Sequence, residues 1–345
     1  MAMLDPNPTL KRSICFLLMP EFPLYALVPA IEALRLANQN SGSVLYEWSF
    51  ASTDGGRVSA GNGFSLEHTQ QISRDFSPEF VIVCAGNQPT DFLDRKLLDW
   101  LSRRAAFGAQ LGAIDTGAFA LAAAGVITGY QLTLHWEARG AFLEMFPNAE
   151  VLDQIYVIDR DRWTCAGGSA ALDMMLEMIE MDAGRPLAEV VTDGFVHGHR
   201  RAAVTPQREH IGVGTSMDSS VWVRIQRIMN ATFRTPLSID ELCRKVGTSR
   251  RTLERAFTQN SGTSPATYYL QLRLAAGKDM LLYTNYPISR IAETIGFSSH
   301  TDFTRAFKRH YHHAPNEFRK KNSADMRHKL HPQGQALVGL AQLGE

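Results

Sequence analysis

The sequence predicts an α/β fold with a second, smaller part: an N-terminal parallel sheet covered by helices, followed by a C-terminal domain made only of helices. Short apolar runs alternate with helical patterns up to about residue 200, which is typical of parallel sheets. From residue 221 onward only helical periodicity is found. The chain has 345 residues, 45% of them hydrophobic and 20% charged, which fits two globular domains.

The predicted elements of the first part follow from the period of the apolar residues. Continuous apolar runs indicate buried parallel strands, and apolar residues three or four apart indicate helices. Pro29 is expected near the first turn of the first helix, where its missing N–H does no harm. We predict strands at 13–19, 45–51, 79–84, 109–114, 153–158 and 163–165, and helices at 29–38, 92–106, 118–124 and 170–181.

The charge changes sign between the two parts. Residues 1–218 hold 16 Lys and Arg against 26 Asp and Glu, whereas residues 219–322 hold 17 against 7. The total of zero therefore hides a strongly basic segment, and this asymmetry suggests a nucleic-acid-binding module joined to something else. We expect a domain at 11–201, a polar linker at 202–220, a second domain at 221–322, and flexible tails at 1–10 and 323–345.

The cysteines and the N-terminus bear on the cellular compartment. Four cysteines lie far apart without a C-x-x-C pair, which argues against a disulfide framework or a zinc cluster. No uncharged apolar run reaches the ~18–20 residues of a membrane helix, and residues 1–10 lack the pattern of a signal peptide. We expect a cytoplasmic protein without a metal, a cofactor or a membrane partner.

The basic segment contains an internal repeat. The pattern Ile-x-x-Leu-Cys-x-x-Val-Gly at 239–247 returns as Ile-x-x-Ile-Ala-x-x-Ile-Gly at 288–296, and Leu-x-x-x-Phe at 253–257 returns as Phe-x-x-x-Phe at 303–307. Each unit is a short helix, a turn with glycine and a second helix, as in a helix-turn-helix motif; the alternative is a plain helical bundle. The predicted helices span 238–246, 249–259, 272–282, 288–295 and 299–310.

The second helix of each unit is expected to enter a major groove of double-stranded DNA. Arginine can hold a guanine through two hydrogen bonds, whereas serine and threonine more often contact phosphate. Which residues read bases is left open. The candidate DNA-contacting residues are Arg250, Arg251, Thr252 and Arg255 in the first unit, and Ser299, His300, Thr301 and Arg305 in the second.

Spaced residues of this repeat resemble the AraC/XylS-type transcriptional regulators over about residues 221–321. They are Ile291-Ala292-x-x-Ile295-Gly296-Phe297, Phe303-x-x-x-Phe307-Lys308, Pro315 and Phe318-Arg319. The resemblance implies tandem helix-turn-helix motifs, an operator and contact with RNA polymerase. One departure is His312, which stands where the family usually has glycine, and a positive φ there would cost some stability.

The acidic part contains a strand–turn–helix elbow at Gly112–Ala118, the kind of turn that exposes a nucleophile above an α/β sheet. With residues 31–38 and 129–137, this elbow resembles the class I glutamine amidotransferase-like (PfpI-type) fold over about residues 11–200. The two resemblances together indicate GlxA-like regulators. Catalytic relatives carry cysteine in the elbow, but here Asp115 stands in its place, so we expect no enzymatic activity.

The resemblance implies that the former active site is a ligand pocket. It places Glu32 close to Asp115, where two carboxylates would favour a cation if both ionise, and Trp136 can offer an aromatic face. The alternatives are structural: Asp115 as a helix N-cap, Glu32 as a buried acid, His135 and Trp136 as core residues. The candidate ligand-binding residues are Glu32, Asp115, Thr116, His135 and Trp136.

The sequence therefore predicts a homodimeric, effector-responsive transcriptional regulator, an activator of a catabolic operon. By resemblance, its effector is a small cationic or zwitterionic amine such as glycine betaine, carnitine, sarcosine or arginine. Two alternatives are kept: an enzyme of the amidase-like fold with an appended DNA-binding domain, and a constitutive DNA-binding protein whose N-terminal domain only dimerises.

Overall fold

The computed structural model describes residues 11–208 and 217–322, with side chains of the second range described from residue 221. The chain folds as two compact units, one ending at Gln207 and the other spanning Arg208–Lys321. This division falls inside the predicted linker, whose residues 209–216 lie outside the described residues, as do both predicted tails. None of the described helices is long and apolar enough to cross a membrane.

The first unit is built on a seven-stranded sheet with the order β10-β11-β7-β6-β1-β2-β5. All neighbouring strands are parallel except β10 and β11, which are antiparallel. Two-stranded ribbons β3–β4 and β8–β9 accompany it. The strands are β1 Arg12–Leu18, β2 Tyr46–Ser52, β3 Val58–Ser59, β4 Ser65–Leu66, β5 Gln70–Gln71, β6 Phe80–Ala85, β7 Gln110–Asp115, β8 Gln131–Leu132, β9 Glu150–Val151, β10 Tyr156–Asp159 and β11 Arg162–Cys165.

Helices cover this sheet. All six residues of β6 are buried, and since alternate side chains face opposite sides, both faces of the sheet are covered. The predicted α/β class of this part is thus confirmed. The helices are α1 Leu24–Ser41, α2 Arg95–Ala106, α3 Ala118–Ala123, α4 Arg139–Met145, α5 Ala170–Ala183 and α6 Arg185–Gly194, with a 3-10 turn at Pro89–Phe92.

The first helix begins earlier than the sequence predicted. It starts at Leu24, directly after Pro23, so Pro29 lies inside the helix rather than in its first turn. The prediction was wrong because two prolines compete as helix starts, and Pro23 is the one that precedes the first turn. The earlier start adds five residues to the helix, and one of them, Tyr25, becomes part of the candidate site below.

The second unit is entirely helical among its described residues, as predicted. Its helices are α7 Met217–Thr232, α8 Ile239–Val246, α9 Arg250–Asn260, α10 Pro265–Tyr283, α11 Ile288–Thr294, α12 His300–Tyr311 and α13 Pro315–Lys321. The repeat is visible as the pairs α8–α9 and α11–α12. The turns after α8 and α11 contain Gly247 and Gly296, both with positive φ.

Helix α10 joins the two repeats and is longer than predicted. Ser264 caps its N-terminus by accepting a hydrogen bond from the Thr267 N–H. Its first half contributes Tyr269 to the core formed with α7, α8 and α9. Farther along, Gly277 packs so closely on Ile295 and Phe303 that an added Cβ would lie 2.9 Å from each side chain. One continuous helix therefore enters both helix-turn-helix units.

Candidate functional site

The elbow predicted from the sequence is present at the end of β7. Asp115 is the last residue of this strand and has φ +61°, a backbone conformation that is uncommon for a residue other than glycine. Two residues later the chain passes so near β6 that a Cβ on Gly117 would lie 2.2 Å from the carbonyl oxygen of Val83. The glycine therefore permits the sharp turn that presents Asp115.

The carboxyl group of Asp115 is enclosed by aromatic, backbone and acidic neighbours. Asp115 is only 7% exposed, and the Tyr25 hydroxyl donates a hydrogen bond to its Oδ2 at 3.4 Å. Gly167 closes over it, since a Cβ there would lie 2.7 Å from the same oxygen. Burial raises the pKa of Asp115 to about 8, and the negative charge of Glu137 adds to the rise. At pH 7 the carboxyl group is therefore mostly protonated.

A cleft of about 190 Å³ lies beside this carboxyl group. Two aromatic side chains on its wall remain accessible, with Tyr25 62% and Trp136 39% exposed. Burial lowers the pKa of His135, so this imidazole is neutral at pH 7. The lining residues are Tyr25, His135, Trp136, Ile155, Ala166, Gly167, Gly168, Ser169, Ala170, Arg201 and Gln207.

Two predicted ligand-binding residues, His135 and Trp136, line this cleft, and Asp115 lies behind the wall residues Tyr25 and Gly167, whereas Glu32 and Thr116 do not line it. Glu32 forms an ion pair with Arg35 at 2.8 Å on the outer part of α1. Thr116 is fully buried and donates its hydroxyl to the Gly86 carbonyl oxygen, so it supports the elbow instead of lining the cleft. The carboxylate that acts electrostatically on Asp115 is Glu137, not the expected Glu32.

The alternative role of Asp115 as a helix N-cap is not what the structure shows, because α3 begins at Ala118 with Gly117 in the N-cap position. Sequence reasoning also missed four residues around the cleft. Tyr25 precedes the predicted start of its helix, and Glu137 directly follows the predicted His-Trp pair. Arg201 and Gln207 lie at the predicted domain boundary, where no periodicity marks a contact.

The raised pKa of Asp115 predicts how stability varies with pH. A carboxyl group with a pKa of about 8 in the folded state and 3.8 otherwise binds its proton more tightly when folded. Its contribution to stability is complete below pH 4 and is lost as the pH rises to 8. We expect the free energy of unfolding of Asp115→Asn to fall less between pH 5 and pH 8 than that of the wild type.

Denaturant unfolding at both pH values measures this difference. The comparison with the isosteric variant cancels the titration of Tyr25 and His135 to first order. Equal pH dependence in both proteins would show that Asp115 is already ionised in the folded state.

The second helices of the two repeats carry most of the predicted DNA-contacting side chains at the surface. Exposed residues are Arg250, Arg251 and Arg255 on α9, and His300, Thr301 and Arg305 on α12. Two of the arginines have acidic neighbours on the same helix: Arg250 pairs with Glu254, and Arg305 with Asp302. Such exposed pairs contribute little to stability and break easily when a phosphate or base edge competes.

The hydroxyls of Ser299 and Thr252 are already engaged within the protein. Ser299 caps α12 by accepting from the Asp302 N–H at 3.1 Å, and it donates to the Asp302 carboxylate at 2.8 Å. Thr252 shares a hydrogen bond with Ser249, the N-cap of α9. These two residues fix the starts of the recognition helices, while their roles in DNA contact stay predictions.

His312, which stands where the family usually has glycine, has the positive φ expected at this turn. This residue ends α12 with φ +64°, and its counterpart in the first repeat, Gly262, has φ +63°. The second repeat therefore keeps the left-handed turn without the residue that adopts it most readily.

The two units match two different protein families. Residues 12–181 match the DJ-1/PfpI family, and residues 242–321 match a helix-turn-helix domain. Among solved structures, an AraC family transcriptional regulator from Pseudomonas putida is 28% identical with a TM-score of 0.50, covering 53% of this chain and 99% of that chain. A ThiJ/PfpI family protein from Pseudomonas syringae shares the fold at 18% identity and TM-score 0.50, over 71% and 92% of the two chains.

Several curated relatives match over nearly the whole length. The HTH-type transcriptional regulator GbdR of Pseudomonas aeruginosa is 36% identical over 91% of this chain and 86% of its own. The regulator CdhR of the same species is 33% identical over 90% and 92%, and GlxA of Rhizobium meliloti is 33% identical over 91% and 97%. All three are HTH-type transcriptional regulators, the class predicted for this chain. The protein therefore belongs to the HTH-type, DNA-binding transcriptional regulators that join a DJ-1/PfpI domain to an AraC-type helix-turn-helix domain.

Proposed function

We propose that this regulator responds to a small cationic or zwitterionic amine bound in the cleft beside Asp115. The observation that carries the proposal is the position of two exposed aromatic rings, Tyr25 and Trp136, on the cleft wall beside the buried carboxyl group of Asp115, on which the negative charge of Glu137 also acts. Aromatic faces and nearby negative charge are the usual means of holding an alkylated ammonium group. Glycine betaine, carnitine, sarcosine and arginine are the candidate effectors.

The protonation of Asp115 shapes how such a ligand would bind. A positive charge placed next to the carboxyl group lowers its pKa, so binding at pH 7 is accompanied by partial release of a proton. Affinity for a cationic group therefore rises with pH up to about 8, the pKa of the ligand-free site. A neutral ligand of the same size lacks this dependence.

The proposal includes the parts of the function that act outside the cleft. The α/β domain at 11–201 senses the effector and dimerises, and the tandem helix-turn-helix domain at 221–322 binds the operator and contacts RNA polymerase. We propose activation of a catabolic operon in the cytoplasm. An effector can change DNA binding only if it has different affinities for two states of the protein.

Thermal unfolding in the presence of each candidate amine tests the proposal, because a ligand of the folded state raises the unfolding temperature. We expect at least one amine to raise the unfolding temperature of the wild type. In Trp136→Ala, the amine concentration needed for the same rise should be at least tenfold higher. Phe107→Ala is the matched control, because Phe107 is an exposed aromatic residue of the same unit that does not line the cleft.

Two results would contradict the proposal. No thermal shift, together with operator affinity indifferent to every amine, would favour a constitutive DNA-binding protein. Turnover of an amide or ester substrate that disappears in Asp115→Ala would favour an enzyme.

A further inference from the structure

Residues 200–207 form the segment of the first unit that leads into the second unit, and we call them the strap. Two of them, Arg201 and Gln207, line the same cleft as Tyr25 and Trp136. The residue that follows Gln207, Arg208, is the first residue of the second unit. The chain that leaves the first unit for the DNA-binding unit therefore forms part of the wall of the cleft.

The beginning of the strap is held by a buried acid. Asp173 is fully buried in the first turn of α5 and accepts from the backbone N–H of Arg201 at 2.8 Å. Its other oxygen accepts from Nε and Nη2 of the Arg201 guanidinium at 2.9 and 2.6 Å. Nη2 also donates to the Ser169 hydroxyl, whereas Nη1 makes no hydrogen bond within the described residues. Arg201 is thus fixed in place with one donor group left over for a ligand.

The end of the strap is held by a single side-chain amide. Nε2 of Gln207 donates to Thr133 Oγ1 at 2.9 Å and to the carbonyl oxygens of Leu134 and Gln154 at 2.9 and 3.1 Å. Its Oε1 is buried without a hydrogen-bond partner among the described residues. The two N–H groups of this amide are shared among three acceptors, and an unsatisfied buried acceptor is destabilising, so the attachment is weaker than the number of contacts suggests.

Backbone pairing completes the attachment between these two ends. The Ile155 N–H donates to the carbonyl oxygen of Thr205 at 3.0 Å, and the Thr205 N–H donates to that of Ala202 at 2.9 Å. Ile155 lines the cleft as well. The amide hydrogen of Ile155 is therefore a local reporter of whether the strap is attached.

We propose that Arg201 and Gln207 contact the effector, and that the strap carries the effect of binding to the DNA-binding unit. This inference rests on the proposed function of the cleft. A ligand that touches both residues in their attached positions binds the attached state more tightly, and so increases its population. Since the next residue belongs to the second unit, release or attachment of Gln207 changes the constraint on the chain entering that unit.

Gln207→Ala tests the coupling without any ligand. We expect faster hydrogen exchange at the Ile155 amide and a change of more than threefold in affinity for operator DNA, with the unfolding temperature of the N-terminal unit nearly unchanged. Gln71→Ala, a change of an exposed glutamine on strand β5 of the same unit, is the matched control and should alter neither quantity. Faster exchange with unchanged operator affinity would overturn the coupling.

A second arm uses glycine betaine and arginine as probes. In Gln207→Ala, which removes one of the proposed ligand contacts, a higher concentration of the amine should be needed to raise the unfolding temperature, and at saturating amine its effect on operator affinity should fall to less than twofold. A wild-type effect of the amine on DNA binding in this variant would overturn the role of the strap. Absence of any thermal shift in the wild type contradicts only the amine-binding proposal. The coupling through the strap is tested separately, by the hydrogen exchange and operator affinity of Gln207→Ala without ligand.

Discussion

Gly117→Ala is expected to destabilise the N-terminal unit by more than about 3 kcal/mol, a large fraction of the stability of an ordinary domain. The added Cβ would lie 2.2 Å from the carbonyl oxygen and 3.0 Å from the carbonyl carbon of Val83, which belongs to a fully buried strand in the middle of the sheet. Backbone atoms held in a sheet cannot move aside as the end of a flexible side chain can. The backbone dihedral itself suits alanine, so the expected loss is steric.

Gly140→Ala provides the matched control for this steric effect. Gly140 lies in helix α4 with nothing within 4 Å of the position of an added Cβ, so alanine there should be neutral or stabilise the unit by up to about 1 kcal/mol. Denaturant unfolding followed by tryptophan fluorescence compares the two variants. Equal stabilities of the two would show that β6 and the elbow do not approach as closely as described.

Replacement of the exposed arginines of the recognition helices is expected to weaken operator binding about tenfold or more for each residue. Arg305 projects from α12 with its side chain 78% exposed, and Arg251 is exposed on α9. An arginine that holds a guanine edge contributes about 1–3 kcal/mol, and its loss also relaxes sequence preference. A phosphate contact would instead reduce the dependence of affinity on salt.

Titration of Arg251→Ala and Arg305→Ala against a duplex selected from random sequence by the wild-type protein measures both effects. Arg95→Ala, an exposed arginine on the N-terminal unit, is the control for a loss of one positive charge. Retained affinity and retained specificity in both recognition-helix variants would show that these helices do not face the DNA.

The strands and the repeated helices could be predicted because the spacing of apolar residues along the chain indicates which faces of each element are buried. The continuous apolar run at 79–84 needs two covered faces, and the repeated Ile-x-x-Leu/Ile spacing needs one buried helix face. The start of α1 was missed because Pro29 and Pro23 both satisfy the local rule for a first turn. Only the tertiary structure shows that Pro23 precedes it.

The candidate site was predictable only where a residue lies next to a recognisable turn. Asp115 could be found because the elbow has a local glycine pattern, but its protonation could not, because the pKa depends on burial by residues far apart in the chain. The resemblance placed Glu32 near Asp115, whereas in the structure Glu32 forms an ion pair with Arg35, three residues later in the same helix. Arg201 and Gln207 lie in a polar segment whose contacts come from α5 and the β8–β10 region, so no sequence period reveals them.

Helix α10 sets a fixed interval between the two helix-turn-helix units. Its 19 residues correspond to a rod of about 28 Å, and its two halves are built into the cores of the two helix-turn-helix units. Such a rod cannot stretch or rotate by a base pair without unpacking Gly277 from Ile295 and Phe303. We therefore expect the protein to discriminate operators by the spacing of two recognition sites as well as by their sequences, so that an operator with the sites at the wrong separation is bound by one unit only.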